Sequence, residues 1–260
     1  MLTGGIVRAQ DPPPAAPAKI DLSQFPGTVV DEVIVPVPSE VFAVLDKLGN
    51  PNWRGELRKH DYEKITDRTS QALLFGAVVA QGFVAVEAED KEAIKESGRE
   101  VLRLSKSMGV HDSVVRHAQS IMDAADAGEW IAIRKELDRT QKTVRETMER
   151  MRDEDLAQCV SLGGWLRGTE ALTSLISKSY TKDKAELLNQ PELVEHFRSR
   201  IRRMNKKIRA HVKVVEVDKG LREIYSAMVR DKDMITPDTV REISTACRKL
   251  VELMTGGAGN

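Results

Sequence analysis

Thr69 to Val86 runs for 18 residues without a charge, in a chain of which 31% is Asp, Glu, Lys or Arg. That length reaches the threshold for spanning a bilayer. Its content argues for a different place. Thr69, Ser70, Gln71, Gly76, Gln81 and Gly82 interrupt the apolar run, and much of the rest is alanine. Neither do both flanks carry the basic and aromatic anchors of a span. A helix that is apolar all round in a globular protein lies at its centre, covered on every side. No transmembrane span is therefore expected, and the rest of the chain must supply the covering helices.

The composition suits that task. Aromatic residues are only 4% while Ala, Leu, Glu, Lys and Arg are abundant, which favours helix over sheet. Ile94, Val101, Leu104 and Met108 keep helical spacing between Asp90, a natural N-cap, and Gly109. Val114, Ala118, Ile121 and Ala125 do the same up to Gly128. Trp130, Ile133, Leu137, Thr140, Val144, Met148 and Met151 alternate by threes and fours, a coiled-coil-like seam. Asp153 to Asp155 place acids where the next helix dipole favours them. Pro191 and Pro237 sit at first turns of later helices. Ser39 is expected to cap a helix over 41–48. The stretch 124–132 resembles the tight turn of tetratricopeptide hairpins, but no second copy recurs at a fixed period, so no array follows.

The predicted fold is all-α: a multi-helix bundle of about eight to ten helices in antiparallel helical hairpins. A disordered Pro-rich N-terminal segment precedes it. Seven of the ten prolines fall within residues 10–38, where the missing amide donors exclude helix. Val29 to Val35 is expected to be one short extended segment. Val7-Arg8-Ala9, just before this stretch, has residues of the kind a signal peptidase reads, without the full leader ahead of it. Residues 1–26 are accordingly read as a signal-peptide remnant and linker packing against nothing, 27–255 as one all-helical domain, and 256–260 as a flexible tail. The compartment expected is periplasmic or extracellular, with the cytoplasm as the alternative.

Lys and Arg balance Asp and Glu at 40 each, which disfavours nucleic acid as a partner. The local exception is Arg198 to Lys213. Arg198, Arg202, Arg203, Lys206, Lys207 and Arg209 are its candidate surface for an anionic envelope component or a partner protein. Phe197, Ile201, Met204 and Ile208 are expected to face inward from it. Cys159 and Cys247 are too few and too distant for a disulfide framework and read as small core hydrophobes.

No phosphate loop, nucleophile elbow or metal-binding signature occurs. Glu192 and His196 share a helix face but have no further ligands beside them, so no metal and no cofactor are expected. One polar feature stands out among the central helices. On 153–177, Leu162, Trp165, Leu166, Thr169, Leu172 and Ile176 form one face, and Ala157, Gly164, Gly168, Ala171 and Leu175 another. Small residues allow close approach, so this helix is expected to pack on 72–86 through Gly164, Gly168, Gly76 and Gly82. Between the faces runs a strip of Arg167, Glu170 and Ser174, with Gln81 as the polar residue across from it. The strip is either a structural clasp or the wall of a ligand site.

Three functional expectations follow. The first is a non-enzymatic exported helical binding or scaffold protein of the cell envelope, with self-association compatible with it. The second is a small-anion or ligand-binding helical module using the polar strip. The third is an enzyme of unrecognised type.

Overall fold

A computed structural model describes residues 27–30, 33–59, 65–150, 153–230 and 234–256. The expectations for residues 1–26 and for the tail beyond Gly256 lie outside the described residues. The fold is all-α apart from one small hairpin. Helices α1 (Pro38–Asp46), α2 (Arg68–Glu87), α3 (Lys91–Met108), α4 (His111–Ala127), α5 (Trp130–Arg150) and α6 (Glu154–Lys178) make the first part. Then come α7 (Lys182–Glu186), α8 (Pro191–Arg203), α9 (Lys206–Arg209), α10 (Val212–Arg230) and α11 (Pro237–Thr255). The extended segment is two strands instead of one. β1 (Gly27–Val30) pairs antiparallel with β2 (Val33–Pro36), Gly27 opposite Pro36 and Val30 opposite Val33. Pairing satisfies backbone groups that a lone extended segment would leave open.

Local chemistry accounts for the helix limits. Asp67, Asp90, Asp153 and Thr236 each accept the backbone N–H three residues on and so cap α2, α3, α6 and α11. The Asp67 carboxyl sits below its ordinary range. Burial pushes it up, but the Ser70 amide and hydroxyl, with His211 and Lys213 nearby, outweigh that. Gly109, Gly128 and Gly256 close α3, α4 and α11 at φ of 74°, 75° and 91°, a conformation that costs glycine nothing.

Two starts differ from expectation. Pro38 supplies the first turn of α1, and the Ser39 amide donates instead to Asp138 Oδ1 on α5 at 2.8 Å. Helix α4 opens at His111 without a side-chain cap. The basic segment also differs. It breaks after Arg203, and Asn205 caps the single turn α9. Phe197, Ile201, Met204 and Ile208 are nonetheless all buried.

The centre is the crossing of α2 on α6, as the uncharged run demanded. A Cβ on Gly76 would lie 1.8 Å from the Val160 carbonyl oxygen, and one on Gly163 would lie 2.0 Å from that of Leu73. Backbone therefore meets backbone. The contact agrees with the expected one in part: Gly164 does stand against Gly76, whose carbonyl oxygen would lie 3.4 Å from an added Cβ, but Gly163 joins it, Gly168 has nothing within 4 Å, and Gly82 only grazes Ser97. Gly163 lies next to Gly164 in sequence but outside the small face that helix periodicity picked out. On one side of the crossing α8, α10 and α11 complete a hydrophobic core with Leu221, Ile224 and Cys247. On the other, α1 and α3–α5 complete a second with Phe42, Ile94 and Ile133. Helix α2 is long and apolar enough to cross a membrane, yet most of it is covered by these neighbours.

Candidate functional site

The Arg167 strip is buried and spent on itself. Arg167 is 1% exposed and Glu170 3%. The guanidinium donates through Nε and Nη2 to Gln81 Oε1 at 3.0 and 2.7 Å, and through Nη2 to the Glu56 carbonyl. Its Nη1 lies 3.3 Å from Glu170 Oε2. Arg58 reaches Glu170 Oε1 at 2.8 Å, and the Gln81 amide returns a hydrogen bond to the Arg58 carbonyl. Ser174 and Lys178 both donate to the Glu56 carboxylate. All four expected residues thus belong to one polar network. Its further members, Glu56, Arg58 and Lys178, were not anticipated. They come from the 52–58 segment, whose turn Trp53–Glu56 inserts Trp53 into the core, and from the last turn of α6. The arrangement latches that segment across α2 and α6.

The basic residues divide. Arg198 and Arg202 pair with Glu195, Arg200 faces Glu154, and Arg209 donates to the Arg202 carbonyl. Arg203 donates to Ser199. Lys206 and Lys207 are exposed, and Val212 beyond them is 68% exposed. Both cysteines are fully buried. Burial pushes the Cys159 thiol up to about 12 and raises that of Cys247 as well, so neither is a nucleophile at neutral pH. Among the described residues no group of three His, Cys, Asp or Glu side chains is placed to hold a metal ion.

The open space lies elsewhere. Helix α5 stands off α2, and the gap between them, closed by α3, α4 and α6, is a cavity of about 230 Å³. Phe75, Val78, Val79, Phe83 and Val86 of α2 form its apolar wall. Small residues leave the room: Gly82, Ser97, Ala118 and Ser161. A wider groove of about 620 Å³ on the outer side of α4 and α5 mixes charges of both signs, among them Arg116, Asp123, Lys135 and Arg139. It is surface, whereas the smaller cavity lies between five helices and opens outward in part, with Val79 of its lining 37% exposed.

Where the two spaces adjoin, three side chains stand in line. Glu136 Oε1 lies 2.9 Å from His117 Nδ1, and His117 Nε2 lies 3.1 Å from Thr143 Oγ1. The His117 bond, helped by Arg139 and against the upward push of burial, holds the Glu136 carboxyl below its ordinary range. His117 carried no signal in isolation. Reflection about Gly128 would have found the set, because position 139 lies as far after that turn as 117 lies before it. Glu136 and Thr143 flank position 139 by about one turn each. The line has the order of a nucleophile, base and orienting acid. However, Thr143 sits inside a helix, whose amides are committed to the helix and offer no oxyanion donors.

No family model matches the chain, and no curated protein or solved structure is significantly similar to it.

Proposed function

We propose that this protein is a non-enzymatic binding protein that holds a small, largely apolar molecule between α2 and α5. The cavity carries this reading. A void of about 150 Å³ lined by aliphatic and aromatic side chains is enough to take up benzene. The 230 Å³ here, lined mainly by Val, Phe, Ile, Leu and Gly, has room for a bicyclic ring system or an aliphatic chain of about eight or nine carbons. The expected polar ligand site at Arg167 supports the reading less well, because its groups are engaged with one another.

Naphthalene is the direct probe. Ten apolar carbons in such a site are worth about 5–7 kcal/mol, or a dissociation constant of about 10–200 µM. Its fluorescence should titrate in that range. Gly82→Leu places a side chain where only Ser97 stands near, at 3.8 Å, and should abolish binding while the melting temperature holds or rises. A native chain that leaves naphthalene unbound at millimolar concentration would sink the proposal.

A second reading rests on the other end of the molecule. Lys206, Lys207 and Arg209 border the exposed Val212, the pattern of a surface that settles on anionic envelope lipid. It keeps the exported, envelope-facing role and is compatible with the cavity. Phosphatidylglycerol vesicles at low salt should sediment the native chain. The triple change Arg203→Glu, Lys206→Glu and Lys207→Glu should release it, as should added salt. No sedimentation of the native chain removes this reading.

A further inference from the structure

We infer that the α2–α5 cavity selects uncharged ligands bearing a hydroxyl or carbonyl group, which Thr143 and Thr147 of α5 recognise. The inference rests on the reading of the cavity as a binding site and gives that site a chemistry.

The cavity's hydroxyls are concentrated on one wall, with single serines, Ser97 and Ser161, on α3 and α6. Helix α5 turns Leu137, Thr140, Thr143 and Thr147 toward it, opposite the apolar residues of α2. The three hydroxyls are not equivalent. Thr140 donates to the Leu137 carbonyl and is satisfied within its own helix. Thr143 meets only His117 Nε2, and a hydroxyl with one donor and two acceptor positions keeps capacity after one contact. Thr147 is 8% exposed as a residue and lines the cavity. Helical threonines ordinarily turn back to the carbonyl four residues earlier. Thr173, Thr245 and Thr255 do so here. Thr147 shows no such bond among the described residues, and its hydroxyl is accessible from the cavity. A ligand oxygen that bonds it gains a contact that a purely apolar ligand forgoes.

Charge decides the rest. His117 is the one titratable residue among the described lining residues, and Glu136 already holds its Nδ1 at 2.9 Å. With neutral imidazole the pair carries a net negative charge, and with protonated imidazole none. A carboxylate entering the cavity would lose its hydration and find no uncompensated cation. An ammonium ligand would find no carboxylate in the lining, since Glu136 faces the outer groove. An uncharged oxygen meets neither penalty. Thr143 and Thr147 lie four residues apart, about one helical turn, so one oxygen lying between them is within reach of both.

Naphthalene, naphthol and naphthoate share one ring system and differ in this group alone. At neutral pH the native chain should bind naphthol about 3–10 times more tightly than naphthalene. Naphthoate should bind at least about 10 times more weakly than naphthol. Thr143→Val with Thr147→Val keeps the shape and removes both hydroxyls. It should bring naphthol to the level of naphthalene and leave naphthalene unchanged. Naphthalene that binds with naphthol no tighter, or naphthoate that binds as well as naphthol, overturns the inference while the cavity stands as a site. Failure of naphthalene to bind removes the cavity reading and this inference with it. The comparison of the three ligands on the native chain decides the matter even if the double variant folds poorly.

Discussion

Gly163→Ala is expected to destabilise the protein by about 3–5 kcal/mol, while Gly168→Ala, five residues along the same helix, stabilises it by about 0.5–1 kcal/mol. In an exposed helix both changes would help, because alanine loses less chain entropy than glycine. The difference lies in what each methyl group meets. At Gly168 there is nothing within 4 Å. At Gly163 the new carbon would stand 2.0 Å from the Leu73 carbonyl oxygen and 2.8 Å from its carbon. These are backbone atoms of a buried helix and cannot rotate away. Relief requires α2 and α6 to part by more than an ångström along their length, which forfeits contacts for Leu73, Ala72 and Leu166 together. Gly76→Ala meets Val160 in the same way and should cost as much. For a chain of this size the melting temperature should fall by about 6–20 °C at Gly163 and rise by about 1–4 °C at Gly168. Equal effects at the two glycines would show that the helices do not meet through Gly163.

How far the sequence could be read follows from the same helices. The uncharged run located α2 at the centre, and the clustered glycines on α6 announced a close neighbour, because both signals come from burial and leave a mark on residue type. The register of the contact was not legible. A 25-residue helix covered on two sides has no single apolar stripe, so periodicity does not say which of Gly163, Gly164 and Gly168 faces α2. Arg167, Glu170, Ser174 and Gln81 were legible as a group, since a polar strip between two apolar faces has to be satisfied. Glu56 and Arg58 were not, because they stand on an irregular segment more than a hundred residues away in sequence from their partners. The cavity left no mark at all. It arises from what is missing between α2 and α5. Small side chains such as Gly82 and Ala118 read in sequence as close packing when they in fact leave space. On the seam of α5, Ile133 is buried as expected, while the side chains of Val144 and Met148, and Met151, lie outside the described residues.

Arg167→Met should cost about 3–5 kcal/mol, the range for removing one partner of a buried ion pair. One guanidinium serves three acceptors: Gln81 Oε1, the Glu56 carbonyl and Glu170 Oε2. Its loss leaves Glu170, 3% exposed, with Arg58 alone, whose side chain is 38% exposed and correspondingly weaker as a partner. Lysine does not restore the set, because a single ammonium cannot span the fork. Glu170→Gln added to Arg167→Met should recover part of the loss, since it removes the buried charge that the first change strands. That coupling is the mark of a clasp. A ligand wall behaves otherwise. If Arg167 were held ready for an anion, phosphate or acetate would raise the melting temperature of the native chain, and Arg167→Met would erase that rise while lowering the unliganded melting temperature little. The network predicts the reverse: a large fall without ligand, no response to either anion, and naphthalene binding between α2 and α5 unchanged in whatever fraction remains folded. The latch holds the 52–58 segment, so its release should also expose Trp53, now 4% exposed. A red shift of tryptophan emission in Arg167→Met, ahead of global unfolding, would place the effect at this segment and not at the α2–α6 crossing.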